Sequence, residues 1–526
     1  MSLPPLVRAM LEPSFYPHRP NEVELRQTHI SYVLLAGEQV FKLKKPVRFT
    51  FLDFSTAERR RHLCHEEVRL NRRLAEGVYL GVVGLRDDGG RFRLTDADDP
   101  AAIETAVHMR RLPDERTLDS ILRRQPDAVG SAEMDLLAKR LTEFHQSADA
   151  GDEVTANGTS AAILSVLEDN YAGVVPFRDD IVAADDDDDI QGFAREFLAA
   201  QEELLARRRA ERRIREGHGD LRADHVYFTD PLVVIDCVEF SPRFRRCDVA
   251  SDLAFLVMDL ERRDRHDLSE RLVSQYVSAT GDNELRRLLP FYCCYRAYVR
   301  GKVESLKSAE EEVQPEERKA ARESARSFFA LAGRYAWAGR PALILVTGLS
   351  GTGKSTLARQ IAERTGFALL STDEIRKQLA GLAPTERARG ARQEDLYSAA
   401  MSRRTYDETL ARAARVLASG GGVILDGTFQ LREGRDRARR SAEAAGVRSL
   451  LVETRCDDEA VRRRLTRRTR RGDDPSDADW AVYLEQKARF EPFLPEENAL
   501  SLDTSAGVES LWPAVARALR ARRPAG

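Results

Sequence analysis

A run of nine residues, GLSGTGKST at Gly348–Thr356, constrains this chain more than any other feature. It follows the apolar stretch ALILVT and precedes LARQIAERT, so a buried strand is expected to turn through a glycine-rich loop into a helix. Gly348, Gly351 and Gly353 permit the tight turns that aim backbone N–H groups and the helix N-terminus at a phosphate. Ser350, Thr352 and Thr356 complete the phosphate contacts, while Lys354 is expected at the β- and γ-phosphates and Ser355 at Mg2+. ATP with Mg2+ is therefore the expected cofactor pair.

After this loop, the strand-like runs FALLS, GGVILDG, RSLLVET and ALSLD alternate with helical patterns, the rhythm of a parallel sheet wrapped by helices. Asp426 ends GGVILD, and a carboxylate at the tip of a buried strand can organise Mg2+ or its water. Asp373, in STDEIRK, lies three positions before Arg376, so on a helix the two share a face and can flank one acceptor hydroxyl; the alternative for Asp373 is a plain helix cap. Together GLSGTGKST, STDEIR, LDGTF and RRRLTRRTRRGDDPSDADW resemble the small P-loop kinases, an AAA-type kinase group with gluconate-kinase-like, chloramphenicol-phosphotransferase-like and polynucleotide-5′-kinase-like members. The resemblance spans residues 341–522. It implies Asp373 as the base that deprotonates the acceptor, Arg376 as an acceptor-side contact, and a helical lid whose arginines are drawn from Arg464, Arg467, Arg468, Arg470 and Arg471.

At 526 residues the chain exceeds one core, since domains usually hold roughly 100–200 residues. A charged helical seam at Ser305–Arg340, ending in Gly339, Arg340 and Pro341, marks the boundary, which leaves residues 1–335 as a separate domain. Its first 115 residues mix short strand patterns with one charged helix near Thr56–Leu74, and the remainder is mainly helical, an α+β order of small lobe then large lobe. QVFKLKKPV puts Lys42 and Lys44 on one strand face, HLCHEEVRLNRRL supplies Glu66 and Glu67, and HGDLRADHVYF and LVVIDCVEF place Asp220 and Asp236 sixteen residues apart. This is the order of parts in eukaryotic-type kinases.

The segment Glu22–Arg334 resembles the aminoglycoside phosphotransferase and choline kinase family, through HGDL and through CVEFSPRFRRCDVASDLAFL. The resemblance implies a protein-kinase-like bilobal domain, with Asp220 as catalytic base, Asp236 as Mg2+ ligand, Lys42 or Lys44 on the ATP phosphates paired with Glu66 or Glu67, and Asp252 anchoring the loop. Two departures bear on activity. His225 stands where the family has asparagine, and imidazole is a poorer ligand than an amide oxygen for a hard cation. LLAGEQV carries a single glycine where a glycine-rich loop would cover ATP.

A formal net charge of −3 against 83 basic residues argues against coating nucleic acid by charge alone. No run approaches the roughly 18 apolar residues of a membrane span, and the N-terminus lacks a leader pattern. Six cysteines without C-x-x-C spacing suit a reducing cytoplasm. The acidic run Asp185–Asp189 is expected to be a solvated loop tip. Three readings follow. The first is a bifunctional ATP-dependent kinase acting on hydroxyl groups of small molecules. The second is a polynucleotide 5′-hydroxyl kinase, with RRRAERRIR at Arg207–Arg215 tracking phosphates. The third is a nucleotide-dependent switch with a degenerate front lobe.

Overall fold

The structure is a computed structural model that describes residues 3–49, 52–311, 313–383, 396, 398–471 and 478–520, with the backbone alone at 469–471. Its contacts divide the chain into two compact units: Met1–Val182 with Ala194–Phe329, and Ala183–Phe193 with Ala330–Gly526.

The first unit opens with a six-stranded antiparallel sheet in the order Val23–Gln27, Ser31–Ala36, Gln39–Lys44, Ala102–Arg110, Tyr79–Asp87, Phe92–Asp96. The period-two pattern of QVFKLK sorts its side chains. Phe41 and Leu43 enter one apolar cluster with Met10, Tyr16 and Leu34, whereas Val40 packs on the opposite face with Cys64 and Val68 of the Ala57–Asn71 helix. Lys42 and Lys44 therefore face that helix. Thr56 caps its N-terminus by accepting from the Arg59 amide, which fixes where the helix begins and so where Glu67 falls.

The rest of this unit is helical. Ser131–Ser147, Val249–Glu261, His266–Thr280 and Leu285–Ala309 pack together, and Val249–Glu261, mostly apolar, is buried from Val249 through Leu260 with Ser251, Asp252 and Asp259 among its buried residues. Two short antiparallel pairs, Ile214–Glu216 with Arg246–Asp248 and Val226–Tyr227 with Val233–Val234, bracket the HGDL loop and the segment carrying Asp236.

The second unit is a five-stranded, wholly parallel sheet in the order Ala368–Ser371, Val423–Asp426, Ala342–Thr347, Arg448–Arg455, Leu500–Asp503. The central strand ALILVT is buried at every position, its alternate residues feeding the two clusters that cover the sheet's faces. Strand register sets Asp426 beside Val346, two residues before Gly348. The phosphate loop and the carboxylate thus emerge together at the carboxyl ends of neighbouring strands, where open parallel sheets bind ligands.

One expectation is corrected. Asp185–Asp189 is no loop tip but lies in the helix Ala184–Ala200, where Asp187 and Asp189 are buried. Carboxylates in a first turn favour the positive helix end, and Arg364, Trp512 and Arg520 supply partners: Arg364 Nη1 and Trp512 Nε1 bind Asp186, and Arg520 Nε lies 2.7 Å from Asp189. Among the described residues, no helix is long and apolar enough to cross a membrane.

Candidate functional sites

In the second unit, the phosphate loop is shaped by three glycines in the left-handed region or beyond: Gly348 at φ 142°, Gly351 at 82° and Gly353 at 89°. A methyl group on Gly348 would lie 2.6 Å from the Thr454 carbonyl, so the loop admits no side chain there. Threonines brace it from beneath. Thr352 Oγ1 meets Thr454 Oγ1 at 2.7 Å, and Thr504 Oγ1 donates to the Thr352 carbonyl at 2.6 Å. Lys354 Nζ donates to the Leu349 carbonyl at 3.0 Å, folded along its own loop.

Asp426 is the chemically pointed residue of this site. It is 5% exposed, its Oδ1 is buried without a hydrogen-bond partner, and burial pushes its carboxyl up to about 6 against the opposing pull of Lys354 and a hydrogen bond from Ser355. A spare carboxylate oxygen beside the Ser355 hydroxyl is the donor set a hard cation takes, so these residues fit Mg2+. Asp373 opens the helix Thr372–Leu379, half-buried, and contributes to the field on Asp426. Arg376, one turn on, is buried with Nη1 donating to the Leu396 carbonyl at 3.3 Å and to Ser402 Oγ at 3.1 Å.

Among the expected lid arginines, Arg464 approaches the loop: its Nη1 donates to Thr504 Oγ1 at 3.2 Å and stands 3.5 Å from where a Gly353 side chain would begin. Arg468 donates to the Ala478 carbonyl, Arg467 is exposed, and the side chains of Arg470 and Arg471 lie outside the described residues. Gln486, on the helix Trp480–Arg489, was not singled out by the sequence. Its Oε1 accepts from the Ser350 amide at 3.0 Å. A lone polar residue on an amphipathic helix carries no signal of such a contact.

In the first unit, Lys42 Nζ lies 2.8 Å from Glu67 Oε1 and 2.6 Å from Asp236 Oδ1. Lys44 is fully buried behind it, bonded to Glu67 Oε2 at 2.6 Å and to Glu239, a partner the sequence reading missed. Of the two lysines, Lys42 is the one with access to a ligand. Glu66 instead pairs with Arg69 and Arg245. Asp236 takes a positive φ of 67°, and although burial opposes it, the charges of Lys42 and His225 hold its carboxyl below the usual range.

Asp220 is likewise depressed, burial being outweighed by Arg222, His225 and Arg300. Asp252 braces the loop before it, accepting from the His218 amide at 2.7 Å, the Gly219 amide at 2.8 Å and His145 Nε2 at 3.2 Å. His225 turns Nδ1 to the Asp220 carbonyl at 2.9 Å, while Nε2 faces Arg222 Nη2 at 3.0 Å and sits 3.8 Å from Asp236 Oδ2. The imidazole offers a cation nitrogen and no oxygen, so of His225 and Asp236 it is Asp236 that fits Mg2+. The basic run Arg207–Arg215 is not a free cationic face: Arg208 is fully buried between Asp248 and Asp282, and Arg207 pairs with Glu284.

Residues 343–493 match a protein-family model described as an AAA domain. The chain belongs to the same family as the Mycobacterium tuberculosis protein Rv2004c, to which it is 37% identical over 435 residues, 82% of this chain and 83% of that one; the Mycobacterium bovis protein Mb2027c matches equally. Among solved structures, a choline/ethanolamine kinase family protein from Mesorhizobium loti is similar at 12% identity over 62% of this chain and 99% of its own, with a TM-score of 0.36. A gluconokinase from Sinorhizobium meliloti is similar at 20% identity over 34% of this chain and 89% of its own, with a TM-score of 0.22. The family-model match lies within the second unit.

Proposed function

We propose that this protein is a bifunctional ATP-dependent phosphotransferase, each unit passing the γ-phosphate of ATP to a hydroxyl group of a small molecule. The observation that carries the reading is Asp426: a buried carboxylate keeping one oxygen unpartnered beside Ser355 and Lys354. In the second unit, loop amides and Lys354 hold the phosphates, Ser355 and Asp426 hold Mg2+, and Asp373 takes the acceptor proton. Bound Mg2+ would neutralise charge on the phosphate oxygens. Arg464 stands where charge spreads in the transition state, and helices 458–471 and 480–489 form the lid that excludes water. In the first unit, Lys42 orients ATP, Glu67 orients Lys42, Asp236 holds Mg2+ and Asp220 takes the proton. Six free cysteines accord with a reducing cytoplasm as the site of action.

A second reading, in which the first unit binds nucleotide without transferring phosphate, is favoured by His225, which offers no oxygen ligand to the cation. ATP consumption across sugars, aminoglycosides, nucleosides and 5′-hydroxyl oligonucleotides separates the readings. Stimulation by one class, lost in Lys354→Ala, assigns the second unit; stimulation that survives Lys354→Ala and disappears in Asp220→Ala assigns the first. Stimulation by oligonucleotides alone would replace the small-molecule acceptor with a nucleic-acid end, and no stimulation by any class would overturn phosphotransfer.

A further inference from the structure

The helical part of the first unit holds a partly open cavity of about 190 Å³, between the Ser160–Val174 helix, the Leu285–Ala309 helix and the chain Pro242–Asp248. Its wall is rich in donors and short of acceptors. Arg243, Arg246 and Arg296 line it together with the phenols Tyr292 and Tyr295. The only carboxylate in that lining, Asp248, is already held by Arg208, through Nε at 2.5 Å and Nη2 at 2.7 Å.

The arginines are incompletely matched. Arg296 is 2% exposed and bonds only neutral groups at close range: Nε donates to the Ser251 carbonyl at 3.1 Å and Nη1 to the Gly219 carbonyl at 3.3 Å. The rings of Phe255 and Tyr295 flank it at 4.9 Å, and among the described residues it makes no ion pair. Arg246 pairs with Glu153 through Nη1, while its Nε is buried without a hydrogen-bond partner, Glu216 Oε1 standing off at 3.8 Å. Arg243 reaches Asp169 and Ser165 from the half-exposed rim. Arg296 feels the charges of Asp252 and Asp220 but touches no carboxylate, and an anion in the cavity would give this buried guanidinium a direct partner.

We propose that this cavity binds a small hydroxylated organic anion carrying a phosphate or carboxylate group. A cavity of about 190 Å³ has room for such a molecule. Through Arg296, the occupant is coupled to the Gly219 carbonyl, one residue before Asp220.

Isothermal titration of the full-length protein with glycerol 3-phosphate, D-gluconate, glycerol and ethanolamine tests this. The expected result is that one or both anions bind at least roughly ten-fold more tightly than glycerol or ethanolamine, and which anion binds identifies the head group. Val166→Phe, which fills the cavity without removing charge, should abolish the preference. Arg243→Ala, at a site exposed enough to spare the fold, should weaken it several-fold, while Arg207→Ala, a surface arginine paired with Glu284, should leave it intact. Anion binding that survives Val166→Phe, an equal loss in Arg207→Ala, or no preference over glycerol would overturn the proposal. Because none of these variants alters Asp220 or Lys354, a binding result stands whether or not either unit transfers phosphate.

Discussion

At the scale of single residues, Asp373 and Lys354 are expected to fail differently. Asp373→Asn should lower kcat by roughly 10²–10⁴ with little change in ATP affinity, as for a lost proton acceptor, whereas Lys354→Ala should weaken nucleotide binding as well. Steady-state kinetics with ATP titration reads the difference, and equal losses of kcat and affinity in Asp373→Asn would make Asp373 a helix cap. His218 yields a pH prediction. Its Nε2 faces the Ile235 carbonyl at 2.9 Å and its Nδ1 accepts from the Asp220 amide at 3.3 Å, so the folded ring must be neutral; burial lowers its pKa to about 4. Because the folded value lies below the ordinary one, the stability it contributes is full above about pH 6.5 and is lost as pH falls through about 4. Urea unfolding between pH 4 and 7 should show that slope, and His218→Asn should flatten it.

At the scale of elements, the HGDL loop is rigid because Asp252, on the buried helix Val249–Glu261, collects its amides. Asp252→Ala leaves the His218 and Gly219 N–H groups and His145 without their acceptor, at an expected cost of roughly 2–6 kcal/mol, with Asp252→Asn intermediate. Denaturant unfolding measures this directly; a change under about 0.5 kcal/mol would mean that the loop is held elsewhere. The family resemblance implied that Asp252 anchors the H-x-D loop, but spacing alone did not give the amides it binds, since a 34-residue separation is closed only by packing. Lys42 and Lys44 show the same limit. Alternation placed both on one face, yet their division into an accessible lysine and a buried one depends on Glu239, which follows the HGDL loop in the chain.

At the scale of the whole molecule, the division into units does not follow chain order, because Ala183–Phe193 groups with the residues after Ala330. A fragment beginning at Pro341 lacks Asp186 and Asp189 and leaves Arg364, Trp512 and Arg520 without these partners. It should melt at a lower temperature than the same unit within the full chain, and Asp186→Ala in the full chain should lower that transition too. Calorimetry of the three proteins decides the matter; identical transitions would show that the segment contributes nothing to stability.

What the sequence alone determined is whatever depends on local spacing. A strand, three glycines, a lysine and a helix within twenty residues allow one useful conformation, and the alternation of apolar runs with helical patterns implied the parallel sheet that is found. Tertiary structure decided what depends on distance. Gln486 on the Ser350 amide, the acidic helix start beside Arg364 and the arginine-lined cavity all join residues whose separation along the chain encodes no contact. Burial is the physical reason: a polar group removed from water must find a partner wherever the fold supplies one, and that partner's address is set by packing and not by spacing.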